Sequence, residues 1–426
     1  MILPPRGPLR VYAAVTFFDS LVPGIMLAGG VLFFTEVAHL GAVQVGSGLS
    51  LAALVGLAAA VPAGRLGDRT GHRRLLIVLS LLRALILGAY QLVDSYPVFL
   101  VVACLAGLVE SAAGPVRQAC LGAVTTPGNR VRTLAFNRVV RNIGATLATP
   151  ALGLALALDS PLAFRALIGA GAVSVLTVAL VAVRLPETPV PSAGAGPAAT
   201  GPRPAGAGRA GVLRDRPYLT LALLNGVLVM HMELLEVGMP LWVTGHTRAP
   251  AWTTSALLFL NVLIAIALQM RVGRTVTGVG SAARALRRGG YCLPAAAVVF
   301  AATGTLGPLP GVLALSAAVT LLTLTELLQS AGSWGLSYDL ADAARLGEYQ
   351  GAWSTGTQLV RSCAPLLVTL ALSSLAATGW LVIGAGYAVA AASAVPLARR
   401  AHAWRTGERP RWVHEVPERR DRVRPR

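Results

Sequence analysis

Asp19, Arg83, Glu110, Arg138, Arg141, His231, Glu233, Glu236, Glu326 and Arg361 all interrupt long apolar runs of this 426-residue chain. In lipid such groups are costly, face a bundle interior or a water-filled cavity, and mark pathways for ions or substrates. A carboxylate taken out of water is reluctant to ionise, so it can load and release protons. A buried arginine stays charged and needs an acid or an anionic ligand beside it. Asp19 lies nine residues beyond Arg10, which in a helix is about 13 Å along the axis and close to mid-membrane. Similar counting places Glu110, Arg141, Glu233, Glu326 and Arg361 near mid-depth, whereas Glu36 and Arg83 fall toward helix ends or lone faces and receive no role.

These residues repeat. Asp19 and Gly24 align with Glu233 and Gly238 at an offset of 214, Glu110 with Glu326 at 216, and Arg141 with Arg361 at 220. The first, fourth and fifth runs therefore carry acid, acid and base, and the seventh, tenth and eleventh carry them again. Parallel repeats about an axis along the membrane normal place a substrate site at their interface. Two readings of the pattern stand side by side. Glu110–Arg141 and Glu326–Arg361 are either ion pairs stitching each half together or groups that meet the substrate. Asp19 and Glu233 have no basic neighbour on their own helix, which marks them as coupling acids. His231 alone reads as a packing or hydrogen-bonding residue.

The elements that must hold these groups follow from composition. Only 13% of residues are charged and 55% are hydrophobic, whereas a soluble chain carries about 25% charged residues. Apolar runs of spanning length recur at 11–35, 42–63, 74–93, 97–118, 131–157, 162–183, 217–244, 252–271, 289–306, 310–334, 350–374 and 378–397. The expected fold is an all-α integral membrane protein: twelve helices in two pseudo-symmetric six-helix bundles. Its divisions are residues 1–184, a disordered linker at 185–215 rich in Pro, Ala and Gly, residues 216–398, and a basic tail at 399–426. No nucleic acid is expected despite the net charge of +18, because all 36 basic residues are Arg and they gather at helix ends and tails. With the N-terminus inside, thirty arginines fall on inner segments and two, Arg165 and Arg248, on outer ones. The positive-inside rule then places both termini in the cytoplasm of a multi-pass plasma-membrane protein, with anionic lipids at the Arg-rich inner loops and tail. Cys104, Cys120, Cys292 and Cys363 read as buried thiols, and no metal site or cofactor is expected.

Between the second and third runs stands Gly64-Arg65-Leu66-Gly67-Asp68-Arg69-Thr70-Gly71-His72-Arg73-Arg74. Gly64, Gly67 and Gly71 suit a tight turn and close helix approach, and Asp68 can pair with arginines or a helix N-terminus. The stretch closely resembles the loop signature of the major facilitator superfamily. That resemblance implies an inner gate built from Gly64, Leu66, Gly67, Asp68, Arg69, Gly71, Arg73 and Arg74, whose contacts are made and broken in the transport cycle. The second-half counterpart, Gly273 to Gly278, has no acid, so a latch there is degenerate. Gly144, Pro150 and Gly153 resemble a worn antiporter motif in the fifth helix, where Thr149 replaces a glycine; kinked packing is the other reading. The arginine motif that many exporters carry in the fourth helix is absent, with Glu110 in that helix instead.

The resemblance implies a secondary active transporter of the drug or metabolite efflux branch, not an enzyme. No nucleotide-binding signature is present, so the expected partners are protons, a small-molecule substrate and the bilayer, with the chain acting as a monomer. Proton-coupled efflux of a drug-like or natural-product compound leads. Proton-coupled uptake of an organic anion, amino acid or peptide is the alternative, because paired arginines suit carboxylates. An integral-membrane transferase is a remote third: it would need interfacial metal-binding acids, yet the acids here lie at mid-depth.

Overall fold

A computed structural model describes residues 7–34, 38–158, 160–187, 211–250 and 252–406. Among them there is no strand. Lipid offers no hydrogen-bond partners, so a spanning chain satisfies its backbone internally as helix. The long segments are α1 (Pro8–Leu32), α2 in two pieces (Ala42–Leu57 and Ala60–Thr70), α3 (His72–Tyr90), α4 (Tyr96–Val124), α5 (Pro127–Leu158) and α6 (Pro161–Ala182). They continue as α7 (Arg216–His246), α8 (Thr253–Arg274), α9 (Val279–Thr303), α10 (Pro308–Asp339), α11 (Leu346–Leu375) and α12 (Ala377–Thr406). Among the described residues eight are long and apolar enough to cross a membrane, or nine if the pieces of α2, bent by 46°, are one span.

Several helices outrun their apolar stretches. α9 starts at Val279 and carries Arg284, Arg287 and Arg288 before its apolar part begins. Hydropathy finds the lipid-buried part of a helix, whereas hydrogen bonding continues into polar turns beyond it. The signature segment is also helical: Ala60–Thr70 continues through Gly64 and Asp68, and only Gly71, at φ +95°, breaks the helix before α3. The expected loop is therefore a helix end with a one-residue break. The segment 185–215 is likewise ordered at both described ends. Leu185 is buried, and Val212–Arg214 form a helical turn with Val212 fully buried. Asp215 then caps α7 by accepting from Tyr218 N at 3.1 Å. Residues 188–210 and the tail at 407–426 lie outside the described residues, as does Glu36.

Within α1–α6, α1 packs on α5 and α6, α2 on α4, and α3 on α4 and α6. Within α7–α12, α9 packs on α10 and α12, and α11 on α7. The apolar cores divide similarly, with Phe34, Tyr90 and Phe99 clustered in one set and Trp242, Phe300 and Trp380 in the other. The two sets meet at the end bearing the signature, where α11 lies on the second piece of α2 and on α4, and α5 lies on α8 and α10.

Candidate functional site

Charge clusters lie between the helices. Arg83 from α3, buried itself, donates to Asp19 Oδ1 and reaches Glu110 Oε2 at 2.7 Å. Arg117 from α4 reaches Asp19 Oδ1 and Glu110 Oε1, each at 3.2 Å. Two acids and two arginines thus form one closed cluster among α1, α3 and α4. Asp19 is not the lone acid that counting along α1 suggests, Arg83 is central to the cluster, and Arg117 belongs inside the bundle. Both bases come from neighbouring helices, which the spacing along α1 cannot reveal.

The pairings expected for the other acids also change. Glu110 does not pair with Arg141, which is exposed and makes no ion pair among the described residues. Arg361 pairs with Glu233 instead of Glu326, its Nε donating to Oε1 at 3.0 Å. Glu326, buried on α10, takes Arg138 of α5, while Asn261 Nδ2 of α8 donates to its other oxygen at 3.1 Å. Arg138 also donates to Ser330 Oγ. Glu236 is exposed and makes no ion pair among the described residues. The members of the two repeated triads pair differently because the helix on each flank supplies a different base.

A cavity of about 880 Å³ opens onto these clusters. Arg83, Glu110, Glu233 and Arg361 line it, beside an apolar wall that includes Met26 and Ile86. Half of the Glu110 side chain and 38% of that of Arg361 reach solvent. The cavity extends to Phe34 and Tyr90, at the ends of α1 and α3 away from the signature. Cys363 lines it too and is exposed, so only Cys120 of the four thiols is fully buried. Among the described residues no group of three or more His, Cys, Asp or Glu could hold a metal ion.

The signature end is closed. A Cβ on Gly64 would lie 2.0 Å from Gly347 O, so glycine is required for α2 to touch α11. Asp68 Oδ1 accepts from Gly347 N at 2.8 Å and Oδ2 from Glu348 N at 2.9 Å. The carboxylate therefore caps the positive N-terminus of α11. His72 Nε2 sits 3.0 Å from Asp68 Oδ1, and Gly67 packs on the His72 ring. Glu348 was not singled out by its sequence, yet its Oε1 accepts from Arg65 Nε at 3.0 Å and from Val212 N at 2.8 Å. Arg73 donates to Leu185 O at 3.1 Å, and Glu187 lies 3.6 Å from Arg73 and 3.7 Å from Arg74. Leu66 and Arg69 are exposed. A second contact lies alongside, where Arg130 of α5 is 3.7 Å from Asp339 and stacks over Tyr338 of α10. In the degenerate counterpart, Gly273 packs against Ala135 of α5.

The fifth-helix glycine is a packing device. A Cβ on Gly144 would meet Ser20 Oγ at 2.0 Å, and one on Gly24 of α1 would meet Ala145 O at 2.6 Å. Pro150 is exposed in the helix, and the surroundings of Thr149 and Gly153 lie outside the described residues. Arg405, part of the expected lipid-facing tail, donates to Leu340 O and stacks over Tyr349, fastening α12 to its neighbours.

The sequence matches the family described as Major Facilitator Superfamily over residues 12–365. The chain belongs to this superfamily. Solved structures share the fold over nearly all of the transporter. A human organic anion transporter (TETRAN) is 16% identical with a TM-score of 0.65, covering 93% of this chain and 100% of that one. A bacterial homologue of the iron transporter ferroportin, in an outward-facing state, is 16% identical with a TM-score of 0.65, covering 93% and 98%. The proton:xylose symporter XylE is 14% identical with a TM-score of 0.60, covering 93% and 95%. No curated protein matches the sequence. The chain is thus a multi-pass membrane transporter of small molecules and not an enzyme.

Proposed function

We propose that this transporter works by alternating access in the plasma membrane, as two six-helix halves that rock about the cavity, with the signature end in the cytoplasm. On this reading the closed signature end and the cavity at the opposite end are the outward-facing state. The observation that carries it is the pair of backbone hydrogen bonds from the first turn of α11 to Asp68. That contact joins residues 279 and 280 positions apart through hydrogen bonds, which can be made and broken.

No nucleotide-binding signature supplies energy, so an ion gradient drives the cycle, and the buried acids make the proton the coupling ion. The apolar cavity wall favours an amphipathic compound, and the loop signature together with the worn fifth-helix motif favours export. Protons entering from outside would then drive the halves inward-facing, and their release inside would free the site for substrate. The test uses inverted membrane vesicles and a fluorescent amphipathic dye. Dye should accumulate only when a proton gradient is imposed and should leave when the gradient is collapsed. Accumulation indifferent to the gradient would remove the coupling. Reporter fusions at both termini should be active only in the cytoplasm.

A further inference from the structure

Among the described ion pairs of the bundle interior, Arg138–Glu326 differs from the rest. Asp19, Glu110, Arg83 and Arg117 all belong to α1–α6, and Glu233 and Arg361 to α7–α12. Rocking of one set against the other leaves those pairs intact. Arg138 belongs to α5 and Glu326 to α10, so this pair crosses the seam. Arg138 stands eight residues from Arg130, about 12 Å deeper along α5. It lies above the Arg130–Asp339 contact on the same seam. Opening the signature end pulls α5 from α10 and must break both.

We propose that Glu326 carries the coupling proton, and that protonating it releases Arg138 and unlocks the signature end. The inference rests on the proton-coupled reading above and names its residue. With Glu326 ionised, separation would leave a buried acid and a buried arginine each alone, which is strongly unfavourable. With a proton on Oε1 the acid is neutral and Asn261 still donates to Oε2, so parting the seam costs Arg138 only neutral partners, Ser330 of α10 included. The seam can then part without stranding a carboxylate.

One acid of α7 reaches the cavity, and a histidine close by in sequence interacts with Glu326. Glu233 lines the cavity and stands two residues beyond His231 on α7, directly before the π-helical turn Leu234–Gly238. Such turns interrupt α-helices frequently at functional sites. His231 is 2% exposed, and its Nδ1 lies 2.8 Å from Leu228 O. The carbonyl can only accept, so Nδ1 holds the hydrogen and Nε2 is a buried base with no hydrogen-bond partner. Glu326 is the strongest charge acting on that ring. On this proposal a proton reaches Glu326 by way of His231 Nε2, which does not itself line the cavity, and opening of the seam returns it to water on the other side. From α5 Glu326 faces Arg138, from α7 His231 and Glu236, and from α8 the neutral Asn261. Arg361 of α11 acts on the same histidine. No ion pair reaches Glu326 from α9 or α11 among the described residues.

The experiment reads the cavity through Cys363, which lines it. Full-length transporter with Cys104→Ser, Cys120→Ala and Cys292→Ser is placed in lipid nanodiscs and alkylated with N-ethylmaleimide. Rates between about pH 5 and pH 8 are divided by those of the unfolded chain. The reference protein should lose about tenfold in rate toward acid as the outward-facing state empties. Glu326→Gln should show the low rate throughout, and Glu326→Asp should keep the response. Glu326→Gln that follows the reference at every pH overturns the assignment to Glu326 and leaves proton coupling in place. A reference that is itself flat overturns both readings. If Glu326→Gln does not fold, Arg138→Gln supplies the same comparison, because it unlocks the seam and must likewise flatten the response.

Discussion

Asp68 and Glu348, 280 positions apart, are joined by a 2.9 Å hydrogen bond from the backbone of one to the carboxylate of the other. Its companion from Gly347 makes the carboxylate bidentate on a helix N-terminus. Asparagine offers one acceptor oxygen and no charge, so Asp68→Asn loses one bond and the attraction to the helix dipole. Transport should fall at least about tenfold if 1.4 kcal/mol of latch energy is lost, with expression and insertion near normal. Vesicle flux at wild-type rate would remove the latch.

Gly64 can be tested without touching charge. Alanine there must push α2 from Gly347 O, whereas Gly114 has open space around its Cβ position. Gly64→Ala should keep the signature end from closing, lower Cys363 alkylation severalfold and impair flux. Gly114→Ala should leave both unchanged. Equal behaviour of the two variants would mean that the contact does not govern closure.

The arginines separate by their partners. Arg117→Ala leaves Asp19 and Glu110 with only Arg83, and the loss falls chiefly on the more buried Asp19. Breaking such pairs costs about 3–5 kcal/mol, so thermal unfolding in detergent should begin several degrees lower. Arg141→Ala breaks no ion pair among the described residues and should cost less than about 1 kcal/mol. A comparable loss in both would show that Arg141 has an acid partner in the folded state.

Glu348 ties the segment before α7 to the gate through Val212 N. Glu348→Ala leaves that buried amide unpaired and frees Arg65. Limited trypsinolysis should then cut faster after the exposed Arg214, by about tenfold if 1.4 kcal/mol of docking is lost, as the local opening free energy falls. Unchanged cleavage would mean that the turn is held by Val212 packing alone.

Helix content, the membrane setting and the signature were legible in the sequence. They depend on local quantities: apolar run length, glycine spacing, and 1.5 Å of rise per residue. The repeat likewise picked out Asp19, Glu110, Glu233, Glu326 and Arg361, each of which makes an ion pair. Pairing was not legible. A helix exposes its side chains around a full circle, and which neighbour faces a given residue is set by packing between segments far apart in the chain. That is why Asp19 found Arg83 and Arg117, why Arg361 took Glu233, and why Arg138 reached across to Glu326. The bent α2, the docked Val212 and the roles of Arg117 and Glu348 follow for the same reason, since each is fixed by a surface that the chain forms only after its helices have assembled.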